Sequence, residues 1–233
     1  MEGLFELVYP PACVACDEVL PGAGFFCEDC AALVLDTPSP HCRFCSEPGR
    51  FPSGTCPRCE ARPPPFAHAF GPFEHEGSVA RAIHRFKYEQ RPDLARPLAS
   101  LLARHARAFF TQVGDAALVP VPLHVGRYRE RGYDQATLLA VELGAVTKRA
   151  VRDDWLSRVR ETTRQVGLPE HARDANVRGA FSATAGVTGR AVVLVDDVYT
   201  TGSTVSEATR SLLDHGASRV WVLTLARQRR ELA

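Results

Sequence analysis

The sequence has no apolar run near the roughly 20 residues that a membrane-spanning helix needs, so no membrane span is expected. Its first stretch, Met1–Pro11, lacks both the basic head and the long apolar core of a secretory leader, which makes the cytoplasm the expected location. There is no Gly-x-x-x-x-Gly-Lys anywhere, which excludes a Walker-type ATP site. Nor is one sign of charge in excess. Lys and Arg number 28 against 27 Asp and Glu, a net charge of +1, so overall electrostatics argue neither for nor against a polyanionic partner. Positive charge is local instead, at Arg127–Arg131, Arg158–Arg164 and Arg227–Arg230. The 233 residues are 45% hydrophobic and 24% charged, ordinary values for a globular chain. That length accommodates one α/β domain of roughly 150 residues and a smaller unit.

Cysteine is absent beyond residue 59. All eight cysteines fall in four Cys-x-x-Cys pairs: Cys13/Cys16, Cys27/Cys30, Cys42/Cys45 and Cys56/Cys59. Ten residues separate the first pair from the second and the third from the fourth, and the two halves are offset by 29 residues throughout. The segment is an internal duplication. Two thiolates from one tight turn take two corners of a tetrahedron, and two such turns close a zinc site. Eight cysteines in a reducing compartment suit metal better than disulfides, and four copies of the motif are too many for a redox centre. Two structural Zn2+ ions are expected, one per repeat, with a crossed pairing of the turns as the alternative. His41, next to Cys42, could substitute as a ligand but is expected to be simply exposed. The segment has few large apolar side chains, so metal should supply part of its folding free energy. Its arginines (Arg43, Arg50, Arg58) and aromatics (Phe25, Phe26, Phe44) form no evident stacking platform for nucleic acid. Phe25 and Phe26 can equally pack the ribbon against its neighbour. The stiff run Arg62-Pro63-Pro64-Pro65 sets the boundary between a cysteine-rich unit, 1–62, and a second unit, 63–233.

The second unit is organised around the stretch from Val192 to Thr204. Val192-Val193-Leu194-Val195 suits a strand buried on both faces. Asp196 and Asp197 follow at its C-terminal end. Then come Thr200, Thr201, Gly202, Ser203 and Thr204, and an amphipathic helix from Ser203 to His215 that stops at Gly216. A strand, a small-residue loop and a helix N-terminus make an anion site from loose backbone N–H groups and the helix dipole. Two carboxylates repel phosphate, so they imply a ligand with hydroxyls a few ångströms from its phosphate, as in a ribose 5-phosphate. All thirteen residues from Val192 to Thr204 resemble the binding motif for phosphoribosyl pyrophosphate (PRPP) of type I phosphoribosyltransferases.

Around this stretch, Phe66–Glu76 reads as a strand or hairpin, Gly77–Tyr88 as a helix capped by Ser78, and Asp93–Phe110 as one amphipathic helix with His105 as a packing residue. Ala116–Pro122 reads as a buried strand, followed by a basic loop from Leu123 to Ala136 and a helix from Thr137 to Val146. The arginines of that loop suit a diphosphate, since a guanidinium donates two parallel hydrogen bonds. Lys87 is a further candidate for diphosphate contact. Asp154–Val159 and Val177–Ala183 read as strands, Arg160–Asn176 as a polar segment long enough for a lid, Gly186–Gly189 as a hairpin turn, and Arg219–Ala226 as the closing strand. Strands near 118–122, 155–159, 178–182, 191–195 and 219–225 alternate with helices, an open α/β sheet with its ligand at the strands' C-terminal ends.

Val119-Pro120-Val121-Pro122-Leu123-His124, then Arg127-x-x-x-Arg131-Gly132-Tyr133-Asp134-Gln135-Ala136, resemble the signature of the ComF family. Phe86-Lys87, Arg160-x-x-Thr163-x-Gln165-x-x-Leu168, Arg173-x-x-Asn176-Val177, Phe181 and Leu225-Ala226-Arg227 extend the likeness over essentially the whole chain. The resemblance implies a type I phosphoribosyltransferase-like open parallel sheet behind an N-terminal zinc-ribbon domain, and a role in DNA uptake during natural transformation. It implies that Asp196 and Asp197 hold the ribose, with Thr200–Thr204 on the 5-phosphate. His124, Arg127, Arg131, Lys87 and Gln165 would lie at the diphosphate side, and Arg160 and Arg164 would close over it, with Mg2+. Partners implied are PRPP, single-stranded DNA or other DNA-uptake proteins, and a second copy of the chain. A nucleobase or amine phosphoribosyltransferase of salvage metabolism is the alternative. Asp134 stands where many relatives carry Asn, and a carboxylate there would repel diphosphate unless it helps hold magnesium.

Overall fold

The structure, a computed structural model, describes residues 11–160 and 176–229. The duplication seen in the cysteines recurs in the backbone. In each repeat an antiparallel bridge closes the first turn, Ala12 with Val19 and His41 with Pro48. Asp17 and Ser46, one residue past each first Cys-x-x-Cys, both take positive φ, 66° and 55°. Each second pair opens a short helix, α1 (Glu28–Ala31) and α2 (Pro57–Ala61), with Cys27 and Cys56 as N-caps. All the cysteines except Cys16 are buried.

The second unit is a parallel sheet in the order β1-β7-β6-β3, with β2 also paired to β7. Its strands are β1 (Ala69–Phe70), β2 (Phe73–Glu74), β3 (Ala117–Pro120), β6 (Ala191–Tyr199) and β7 (Arg219–Arg227). Val192 to Val195 are fully buried, as a strand covered on both faces requires. Alternate residues enter different cores. Val193 and Val195 pack with Leu98, Leu102, Leu139 and Leu143. Val192 and Leu194 pack with Val205, Ala208, Leu212 and the four cysteines of the second ribbon. The helices supplying these contacts are α3 (Gly77–Tyr88), α4 (Ala95–His105), α5 (Arg107–Gln112) and α7 (Gln135–Thr147) for the first core, and α8 (Ser203–Asp214) for the second. Each fully buried leucine contributes about 1.5–3 kcal/mol.

Several expectations change. Phe66–Glu76 is not a hairpin: β1 and β2 both run parallel to β7 in the same register, as one edge strand interrupted at Gly71 and Pro72. A Cβ on Gly71 would meet Thr224 Oγ1 at 2.9 Å, so the edge approaches β7 closely at that point. The helix read over Asp93–Phe110 is a 3-10 turn (Pro92–Leu94) followed by α4 and α5. The break at Ala106 (φ −92°, ψ 15°) lets the consecutive Phe109 and Phe110 both enter the core. His105 packs as expected, with Nδ1 against the Leu101 carbonyl at 2.9 Å and its ring edge-on to Phe73. Ser78 does not cap α3. Glu76 holds the N-cap position, and Ser78 is buried inside the first turn.

The basic stretch after β3 is not a loop, because seven of its residues form helix α6 (Val125–Arg131). His124 Nδ1 accepts the Gly126 N–H, and Gly132 ends the helix at φ 78°. The strands expected at 155–159 and 178–182 leave the main sheet and form an antiparallel pair, β4 (Leu156–Arg158) and β5 (Phe181–Ala183). Their residues alternate between buried and less buried, which suits a strand with one face covered and not the interior of a parallel sheet. At Gly186–Gly189 there is a 3-10 turn, Ala185–Val187, instead of a hairpin. Among the described residues, no helix is long and apolar enough to cross a membrane.

Candidate functional site

The C-terminal edge of a parallel sheet collects the ends of all its strands, and β6 and β7 extend furthest there. Their pairing runs through Asp196 with Thr224 to Tyr199 with Arg227. The strand therefore continues past the carboxylates instead of stopping at Val195. Asp197 is 8% exposed, and its N–H donates to Asp196 Oδ1 at 2.9 Å. Burial, followed by the Asp197 carboxylate, pushes Asp196 up to about 7. Lys87, at the end of α3, places Nζ 2.8 Å from Asp197 Oδ1.

Beyond Tyr199 the chain turns through Thr200–Thr204 into α8. Gly202 is its N-cap with φ 80°. A Cβ there would collide with the Tyr199 phenol, so the loop is folded tightly over that ring. Thr201 Oγ1 lies 2.9 Å from Ser203 Oγ and accepts the Ser203 N–H at 3.4 Å. The loop thus has a strand behind it, a helix dipole ahead of it and two hydroxyls in contact, the local structure that a phosphate group needs.

The other candidates from the sequence are placed as follows. Arg158, Arg127, Arg160, Asp134 and Asp196 share one electrostatic neighbourhood: burial lowers the Arg158 guanidinium, Arg127 and Arg160 lower it further, and Asp196 and Asp134 oppose this. Arg160 donates through Nη2 to the Asn176 and Arg178 carbonyls, at 2.9 and 2.6 Å. Arg131 turns elsewhere. It donates to Gln135 Oε1 at 2.7 Å and lies over the Tyr88 ring, 4.9 Å from its centroid. Asp134 caps α7, accepting the N–H groups of Thr137 at 3.1 Å and Leu123 at 2.6 Å. Its carboxylate has a folding role, which accounts for an acid beside a basic helix. Arg164, Gln165 and most of the segment read as a lid lie outside the described residues.

Two neighbours of the site escaped the sequence reading. Arg158 was one arginine in a basic run. Its position as the last residue of β4, with its guanidinium 5.3 Å from the Phe181 ring centroid, was not written in the pattern. His75 follows β2. Burial lowers its pKa, and Lys87 and Asp197 act on it with opposite signs. The signal available for it was its place just after an edge strand.

The cysteines form two separate clusters, Cys13, Cys16, Cys27 and Cys30, and Cys42, Cys45, Cys56 and Cys59, the sulfurs of each within 4.8 Å of one another. This is the sequential pairing. Cys16 and Cys27 sulfurs are 3.7 Å apart, as are those of Cys45 and Cys56. A tetrahedron with Zn–S bonds of about 2.3 Å has edges of about 3.8 Å, so the thiols already stand at zinc spacing. The residues fit two structural Zn2+ ions. His41 is half-buried and stacked on His68 with ring centroids 6.5 Å apart, so it is neither a ligand nor simply exposed. Phe25 and Phe26 pack against the sheet's first core, as anticipated.

Comparison with known proteins agrees with this architecture. The family described as phosphoribosyl transferase domain matches residues 128–233, and that described as double zinc ribbon domain matches residues 4–60. The chain is 35% identical over 205 residues to DNA utilization protein YhgH of Salmonella typhimurium, covering 86% of this chain and 89% of that protein. It is 32% identical over 225 residues to the Escherichia coli protein of the same name, covering 95% and 99%. Competence protein F of Haemophilus influenzae is 31% identical over 194 residues, covering 81% and 85%. With two cysteine clusters, a phosphate loop on a parallel sheet and these relatives over nearly its whole length, the chain belongs to the ComF family of phosphoribosyltransferase-fold proteins with a double zinc ribbon.

Proposed function

We propose that this protein binds PRPP at the C-terminal edge of its sheet and serves DNA uptake or utilisation, as the names of its relatives indicate for them. The single observation that carries the reading is the junction of two carboxylates with a phosphate loop on one strand end, Asp196-Asp197 leading through Tyr199 into Thr200–Thr204 and α8. Loop N–H groups and hydroxyls hold the 5-phosphate, and the carboxylates accept hydrogen bonds from the ribose 2- and 3-hydroxyls. Arg127, Arg158 and Arg160 face the diphosphate, joined by His124, Arg164 and Gln165. Mg2+ would add charge neutralisation on diphosphate oxygens.

If transfer occurs, the bond from C1 to the diphosphate oxygen breaks, the arginines take up the charge on the leaving group, and a nucleophile attacks C1. The working unit is 63–233, with 1–62 as its zinc-dependent brace, and the cytoplasm is the setting where PRPP and reduced thiols coexist. Calorimetric titration with PRPP and Mg2+ tests the reading. The chain should bind, and the double variant Asp196→Asn with Asp197→Asn should bind at least about tenfold more weakly. Equal affinity in the double variant would remove the site assignment. Diphosphate release with a panel of bases separates a transferase from a protein that only binds PRPP.

A further inference from the structure

Two carboxylates on consecutive residues of a largely buried strand end need a positive charge close by, because burial and mutual repulsion both act against their ionisation. In this chain the charge comes from another element. Lys87 Nζ lies 2.8 Å from Asp197 Oδ1, with side chains 19% and 12% exposed. Its setting is rigid. Phe86, the preceding residue, is wholly buried in the core, and its carbonyl accepts the Tyr133 hydroxyl. Tyr88, the following residue, is packed by Arg131 and by the His84 ring, 5.1 Å between centroids.

The residue type is informative too. Of the 28 basic residues all but Lys87 and Lys148 are arginine. A guanidinium is a planar fork with delocalised charge, whereas an ammonium is a compact point charge with three donors. The one cation in ion-pair contact with the carboxylate pair, among the described residues, is thus the side chain nearest in shape to a small metal ion. A hard divalent cation seeks the same carboxylate oxygens, and it cannot occupy Asp197 Oδ1 while Lys87 does.

We propose that Lys87 is the resident counter-ion of the Asp196–Asp197 pair. It stands where a divalent cation would bind a bare pair, and the ribose end of a sugar phosphate is held without a metal ion. Magnesium then acts only on the diphosphate. The proposal rests on the reading that this pair holds a ribose, and it extends that reading by separating the two ends of the ligand by their cation requirement.

The experiment uses the full chain and two probes. Ribose 5-phosphate, which has no diphosphate to bring magnesium with it, is titrated by calorimetry with and without Mg2+, omitting chelators that would strip the cysteine clusters. Mn2+ is titrated against the sugar-free protein and followed by electron paramagnetic resonance. The wild type should bind ribose 5-phosphate equally in both buffers and hold no Mn2+ at the pair. Lys87→Gln should bind the sugar phosphate about tenfold more weakly without Mg2+ and recover with it. It should also gain a Mn2+ site that Lys87→Gln with Asp197→Asn lacks. A magnesium requirement in the wild type, or an unaltered Lys87→Gln in metal-free buffer, overturns the proposal. The wild-type arm decides the matter even where the variant does not fold. If neither protein binds ribose 5-phosphate in any buffer, the ribose reading fails. The Mn2+ arm then judges the counter-ion alone: a gained site supports it and no gain overturns it.

Discussion

Asp196 and Asp197 are neighbours in the chain with different surroundings. Asp197 carries the Lys87 ammonium, while Asp196 is left with burial and a like charge, and its pKa rises from 3.8 to about 7. A carboxyl raised on folding is held more tightly as the acid in the folded state. Its stabilising effect is complete below the unfolded value of 3.8 and is lost as pH rises through about 7. Asp196→Asn removes that loss. The variant should be more stable than the wild type at pH 8 by about 1–3 kcal/mol and should lose the advantage towards pH 4, as read by urea unfolding at both pH values. An equal difference at both would show that Asp196 ionises normally. The native acid at this point costs stability, as expected of a residue kept for binding. The pair itself was readable from the sequence, because a strand pattern followed by two acids and a small-residue loop is local. Lys87 as the partner of Asp197 was not, because that contact joins residues far apart in the chain.

At the scale of elements, local patterns succeeded where one face or both faces of an element are buried in a simple way. Gly77–Tyr88 is a helix at the residues its apolar spacing indicates, and Val192–Val195 is the buried centre of β6. They failed where neighbours decide. Arg127–Arg131 looked like a loop because α6 has no buried residue and so no apolar face to mark it. β4 and β5 looked like members of the main sheet because a short strand does not state its partner. The turn from β6 into α8 depends on a glycine for two reasons, its φ of 80° and its contact with the Tyr199 ring. Gly202→Ala should therefore cost about 1–3 kcal/mol in chemical denaturation and weaken PRPP binding along with it. Retention of full affinity would show that the loop relaxes without losing its anion geometry.

Across the whole molecule the two ribbons brace different parts of the site. The first is tied to α3 through Arg85, which pairs with Asp17 and donates to the Val14 carbonyl, and through Arg91, 2.8 Å from Asp17. α3 is the helix that delivers Lys87. The second ribbon lies in the other core, its four cysteines packed with Val192, Leu194, Val222 and Tyr199. Glu47 pairs with the buried Arg227 at the end of β7, and Ser46 donates to the Ala69 carbonyl at 2.7 Å. Loss of the second metal should therefore uncover one face of the sheet. Cys45→Ser should lower the melting temperature of the whole chain by roughly 10 °C, more than Cys16→Ser, whose cluster lies outside both sheet cores. Scanning calorimetry with parallel zinc analysis checks this. Equal losses would mean that each ribbon stabilises only itself.

The sequence by itself determined the sequential pairing of the cysteines, the phosphate loop and the carboxylates before it. Each is a short-range matter: a fixed spacing brings thiols to a tetrahedron, and a strand, a turn and a helix start bring donors to one point. Only the tertiary structure decided that Lys87 meets Asp197, that Arg158 joins Arg127 near Asp196, that Asp134 caps a helix, and that the second ribbon belongs to the core of the sheet. Those contacts form when distant segments bury their apolar faces together, and no periodicity within one segment records which other segment will cover it.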